Sequence, residues 1–427
     1  MSTRLKKKIT PYLKWLIWIL ATLFYFYEFT LKISPSVMIP ELMRSFGINA
    51  SLMGILSALY LLAYAPMQLP VGILIDRYGL KILLSLGSFV CGVGAICFSF
   101  ASGITLAGFG RFLIGMGSSF AFISMVYICS HWFPKKRRAL LIGIANSISM
   151  LGASSGGGPL RAVIQMYGWR STIGVIGLFG IALAILIYWI LSLDSRDSAV
   201  ELETKKKNES ILSSLKIVSF NVKSWINSIV AVCFYMTTTG LAALWGVPFV
   251  QEAYGVSAVT AGFSMSMIFI GWLVGGPIMG FISDHFSSRT LVLRSAMTLT
   301  LICVCLVLYV TWIPLFVLFL CTFLIGFFSS AELLSFTLAI EMNPPKVKAT
   351  AAAFTNFIVS MGDLLVLPFI GFILDALWKG TMADSIRVYS VGEYQKALVC
   401  LPIALVVGIL ISAFLKDEKS QDLVNID

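Results

Sequence analysis

Five ionisable residues stand inside long apolar runs: Glu28, Lys32, Arg111, Glu332 and Asp363. On insertion scales a charged group at the centre of a membrane helix costs about 2.5–3.5 kcal/mol, so each needs a partner or a use. Glu28 and Lys32 are one helical turn apart with the acid N-terminal, the favourable order for a helical ion pair. Tyr25 and Ser36 extend the same stripe. Such a pair either neutralises itself or offers a carboxylate and an ammonium to a cleft, where each can exchange partners with a solute. Arg111 keeps its proton and cannot carry one. It can grip a carboxylate bidentately or serve as a fixed structural cation. Glu332 and Asp363 can take up and release a proton if their surroundings alternate between dry and wet, or they can be hydrogen-bonded packing residues. Tyr60, Tyr64 and Gln68 make a polar-tipped stripe at i, i+4, i+8, which could line a site or simply pack. Asn146, Ser149, Tyr235, Trp245 and Asn356 are weaker site-lining candidates. Gly152 and Gly156 to Gly158 read as residues that let helices approach closely. His131 and His285 fall at run ends, without an assigned role.

These groups must be positioned by elements that cross a membrane. The chain of 427 residues is 58% hydrophobic and 12% charged, with a mean hydropathy of +0.93. Soluble domains carry about 25% charged residues, so the solvent for this surface is lipid. Twelve runs are long enough to span: 15–38, 51–75, 82–101, 104–130, 139–163, 170–193, 224–250, 258–283, 290–312, 314–340, 349–374 and 396–415. Long apolar runs predict helices; a transmembrane barrel would show short alternating strands. The fold expected is an all-α integral membrane protein of twelve spanning helices.

The net charge of +11 is a topology signal. With the N-terminus in the cytoplasm, the inner segments hold 23 of the 31 Lys and Arg, so the positive-inside rule places both termini there. Nucleic acid is thereby excluded as the reason for the basic balance. The eight cysteines lie in or beside apolar runs without metal-ligand spacing, and no metal site is expected. The first apolar run is too long for a signal peptide and reads as a retained helix. The polar stretch 194–223 divides 1–193 from 224–427, six helices from six, as a cytoplasmic linker. Within it, 211–218 could lie along the membrane surface.

The two halves share one plan. Gly72-x-x-x-Asp76-Arg77-x-Gly79-x-Lys81 lies between the second and third runs, and a weaker copy carrying Gly280, Asp284 and Arg289 lies between the eighth and ninth. Phe112-Leu-Ile-Gly115 matches Phe323-Leu-Ile-Gly326 at an offset of 211, which also pairs Ser118-Ser119 with Ser329-Ser330 and Pro134 with Pro345. Two parallel six-helix repeats place a transport cleft between them near the midplane. The position of Asp76 suggests a carboxylate that caps a neighbouring helix N-terminus, complementing its dipole.

At these residues the chain resembles the major facilitator superfamily of secondary transporters, over essentially its whole length. Gly72 to Lys81 resembles the family's loop 2–3 signature, with Leu80 where an arginine is usual. The resemblance implies that Asp76 caps the eleventh helix, starting near Ala349, that Arg77 orients the acid, and that the contact closes a cytoplasmic gate. Arg111-x-x-x-Gly115-x-Gly117 resembles the fourth-helix motif, whose arginine is linked to proton coupling in relatives. Trp132-Phe-Pro-Lys-Lys-Arg-Arg-Ala and Gly168-Trp-Arg170 resemble the loops after helices 4 and 5. Gly152-x-x-x-Gly156-Gly-Gly-Pro159 only partly resembles the exporter motif. The run from Tyr27 to Pro40 looks like that of the phagosomal amino-acid transporters of intracellular bacteria; anion:cation symporters share parts of it.

The function expected is therefore secondary active import of a small polar metabolite, foremost an amino acid, by alternating access with proton symport. The proton gradient is the driving force and no cofactor is needed. A zwitterion requires both signs, which Glu28, Lys32 and Arg111 supply. The competing readings are an organic-anion or other nutrient symporter, an exporter of drugs or a siderophore, and a transport-dead membrane sensor. No nucleophile elbow, phosphate loop or metal-ligand cluster points to an enzyme. The expected setting is the bacterial cytoplasmic membrane, with lipid around a monomer.

Overall fold

In lipid, backbone amides and carbonyls must be satisfied within the segment, which the apolar runs can do only as helices. The computed structural model describes residues 11–193, 211–286, 288–384 and 386–415. Among them the one ladder is a two-residue pairing of Met382–Ala383 with Ile386–Arg387. Eleven helices are long and apolar enough to cross a membrane; a twelfth is made if Lys136–Ser155 and Gly158–Tyr167, bent by 41°, count as one span. The chain is a multi-pass, all-α membrane protein.

The spans are numbered here in chain order. Span 1 is Pro11–Ile33, span 2 Ala50–Tyr78, span 3 Leu80–Ser99 and span 4 Ile104–Trp132. Span 5 is the bent pair, broken at Gly156 and Gly157, and span 6 is Trp169–Ser192. Span 7 runs from Val222 to Tyr254 with a π-helical stretch, Thr238–Trp245, inside it. Spans 8 and 9 are Ala258–Phe286 and Arg289–Tyr309. Span 10 is Leu315–Glu341, interrupted by a 3₁₀ turn at Ser330–Glu332. Span 11 is Lys348–Leu377, and span 12 begins at Val391 and ends at Ser412.

Within the first half, span 3 packs on spans 4 and 6; in the second, span 8 packs on span 10. The halves meet where span 2 lies on span 11 and span 5 on span 8. The repeat is visible in atomic detail. A Cβ on Gly115 would strike the Tyr60 carbonyl, and one on Gly326 the Ile268 carbonyl. Tyr60 and Ile268 are separated by the same 208 residues as Asp76 and Asp284. Matching glycines thus bring span 4 onto span 2 and span 10 onto span 8. The short helix Ile211–Ser219 docks Val218 against Ala339, Val347, Ala351 and Phe354 beneath the second half. The rest of the linker, 194–210, lies outside the described residues.

Hydrogen bonds between the halves, among the described residues, gather toward the face away from Pro11 and Leu415. Ser51 and Ala50 bond to Asp375 and Tyr389, and Arg44 to Asp384. Ser266 on span 8 donates to the Ser154 carbonyl and accepts from the Gly158 amide. This is the arrangement of a molecule closed at that far face.

Candidate functional site

The sequence-selected polar groups converge on the middle of the bundle from both halves. Glu28 on span 1 is 1% exposed and accepts a 2.8 Å hydrogen bond from the Tyr60 phenol of span 2. Among the described contacts it forms no direct ion pair with Lys32, so of the two readings of the pair the self-neutralised one is set aside, although the two still interact electrostatically. The phenol has taken the carboxylate, and the Lys32 stem turns instead toward aromatic faces. Its ammonium lies 5.3 Å from the Phe29 ring centre and 5.7 Å from that of Tyr235, which belongs to span 7 in the other half. Lys32 interacts electrostatically with Asp363 of the second half and with Glu28 of its own helix. It is only partly buried. The ammonium thus has aromatic rings and acidic partners from both halves around it.

Arg111 turns its guanidinium to backbone carbonyls. It is 2% exposed and donates to the Leu31 carbonyl at 2.9 Å and to the Lys32 and Ser57 carbonyls at 3.5 Å. Span 1 ends at Ile33, so Leu31 and Lys32 offer carbonyls left without helical partners, and a cation there also meets the negative end of the helix dipole. Its guanidinium lies over the Tyr60 ring, 5.2 Å from the centre. Arg111 therefore fixes the end of span 1 and the phenol that holds Glu28. Its Nε remains buried without a partner.

Glu332 and Asp363 lie deep in the second half, each with one buried carboxyl oxygen lacking a hydrogen-bond partner. The two acids are near enough to interact electrostatically. Glu332 sits in the 3₁₀ turn of span 10, not in continuous helix. Tyr64 stacks on Tyr60 with ring centres 5.6 Å apart, and Asn146 accepts from Tyr25 at 3.3 Å. Asn356 is partly buried on span 11. Trp245 is 1% exposed, its indole donates to the Leu367 carbonyl of span 11, and the residue lines a cavity together with Pro248, Gln251, Arg387 and Tyr389.

The loop signatures differ from one another. Gly79 ends span 2 at φ 82°, a conformation suited to glycine, and its amide bonds to the Ile75 carbonyl. The side chain of Asp76 lies outside the described residues. Arg77 lies over Tyr78 and Lys81 over Tyr188. In the second copy Arg289 meets Asp284 at 3.5 Å and Glu341 of span 10 at 2.7 Å. Glu341 carries no motif and was invisible to sequence reading, as were Asp375, Arg387 and Tyr389 at the far face. An acid near a span end looks like any other terminal charge.

Residues 17–366 and 228–426 match the Major Facilitator Superfamily profile. The chain belongs to that superfamily. Curated relatives include the probable sulfoacetate transporter SauU of Cupriavidus necator, 24% identical over 64% of this chain and 66% of its own length. The hexuronate transporter of Bacillus subtilis is 24% identical over 60% of this chain and 61% of its own. The membrane sensor protein UhpC of Escherichia coli is 24% identical over 90% of both chains. The alignments with SauU and the hexuronate transporter thus span less than two thirds of those proteins. Among solved structures, a bacterial homologue of the lysosomal transporter Spinster superposes with a TM-score of 0.78 at 18% identity, covering 97% of this chain and all of that one. That likeness carries the fold.

Proposed function

We propose that this superfamily member imports a small carboxylate-bearing metabolite by alternating access, with proton symport, across a bacterial cytoplasmic membrane. The observation that carries the reading is Lys32, partly exposed and in electrostatic reach of Glu28 of one half and Asp363 of the other. A solute carboxylate can take the ammonium, and the acids so released have a reason to bind a proton. An amino acid fits best: its ammonium group matches the unpartnered oxygens of Asp363 and Glu332. A sugar acid or similar organic anion would use Lys32 alone, the reading favoured by the names of SauU and the hexuronate transporter. The Lys and Arg distribution supports both termini in the cytoplasm, with 1–193 and 224–427 as the rocking units.

The test is uptake of labelled amino acids and sugar acids into proteoliposomes under an imposed pH gradient, beginning with a thermal-shift ligand screen. Lys32→Gln should weaken binding of the true substrate by about tenfold or more, the scale of losing a hydrogen bond to a charged group. Accumulation of amino acids selects the first arm and accumulation of sugar acids alone the second. The long alignment with a membrane sensor supports one alternative, a chain that binds its solute without moving it. Binding with no uptake in either direction would select that alternative, and efflux without uptake would select an exporter.

A further inference from the structure

The first amides of a helix have no partner inside it, and at span 2 the opposite half supplies two of them. Leu52 bonds to its own Asn49. The Ser51 amide donates to Asp375 of span 11 at 2.7 Å, and the Ser51 hydroxyl donates to the same carboxylate oxygen at 2.5 Å. The other oxygen of Asp375 accepts from the Tyr389 phenol at 2.6 Å and from Arg387 at 3.0 Å. Tyr389 in turn accepts the Ala50 amide at 3.3 Å. Burial and the Asp375 carboxylate hold the Tyr389 phenol well above its usual pKa, so it remains a donor throughout the physiological range. The short hairpin Met382–Arg387 presents Arg387, whose guanidinium stacks 4.3 Å from the Trp378 ring centre. The Asp375 side chain is 11% exposed, so this is a sealed contact.

We propose that Asp375 is the acid that holds the far face shut. The carboxylate sits on the positive end of span 2, where a negative charge is most favourable, and every bond it makes to that end crosses between halves. When the halves part at this face, Ser51 and Ala50 lose these partners together, so the contact exists in one state only. The arrangement is the reverse of the one expected of Asp76, an acid at the end of span 2 aimed at the start of span 11. Spans 2 and 11 would then exchange acid caps, one at each face, as the molecule alternates. The proposal rests on the alternating-access reading and on the far face being external.

Accessibility tests it without any substrate. Ala58, 4% exposed, lies one turn beyond Gly54 on the stripe of span 2 that faces span 11. Ala58→Cys, in a background without the eight native cysteines, is treated with an impermeant maleimide in right-side-out vesicles. Asp375→Asn should raise the labelling rate about fivefold, the population shift expected from losing a helix cap. Tyr389→Phe should move it in the same direction while leaving the acid in place, and Asp76→Asn should slow it. An unchanged rate in both Asp375→Asn and Tyr389→Phe overturns the proposal. The transporter reading is judged separately, by accumulation in the parent protein; its failure would leave the labelling shift intact.

Discussion

Glu28 sits on span 1 with a phenol from span 2 at its carboxylate and an ammonium one turn away on its own helix. Of Glu28, Glu332 and Asp363 it is the only one with a basic residue one turn away on its own helix. If it carries the coupling proton, removing its charge should uncouple transport without removing the site. Glu28→Gln is expected to lose uphill accumulation under a pH gradient yet retain counterflow exchange, which needs no net proton movement. Accumulation equal to wild type in the same proteoliposomes would pass the role to Asp363 or Glu332. Arg111, by contrast, serves structure: its bonds go to carbonyls at the end of span 1 and beside it on span 2.

At the scale of elements, the closed face depends on how near span 2 can come to span 11. A Cβ on Gly54 would meet the Leu367 carbonyl and the Pro368 Cα, both at 2.6 Å, and one on Gly371 would strike the Ala50 carbonyl. Backbone cannot yield as a flexible side chain can, so a branched residue at Gly54 should disfavour the closed state. Gly54→Val is expected to raise outer labelling at Ala58→Cys and to lower the maximal uptake rate severalfold at matched expression. Normal uptake with unchanged labelling would show that the spans separate less than this contact implies. The breaks in spans 5, 7 and 10 have the same logic, since irregular backbone inside a membrane is tolerated where protein or a cavity surrounds it.

For the whole molecule, the prediction is topological. The excess of Lys and Arg on one set of loops motivates a cytoplasmic stretch 194–223. Ser198→Cys in the cysteine-free background should react with an impermeant reagent only after the membrane is permeabilised. Labelling in intact cells would invert the orientation and turn the far face inward. On the alternating-access reading proposed above, the cross-half bonds at one face belong to the state closed there.

Much of this was legible in the residues alone. Lipid permits few backbone solutions, so length and apolarity determined the spans, and the matches of Phe112–Gly115 with Phe323–Gly326 determined the repeat. The cost of burying charge likewise singles out Glu28, Lys32, Arg111, Glu332 and Asp363 from the sequence. Their partners were another matter. The helical spacing of Glu28 and Lys32 describes one helix, whereas Tyr60 and Tyr235 reach them from spans 2 and 7. Arg111 answers to the end of span 1, a boundary created by the turn after Ile33. Asp375 became a candidate only when packing set it on Ser51, a residue 324 positions away. Local chemistry is written along the chain, but a hydrogen bond between halves depends on distances that only the packed bundle defines.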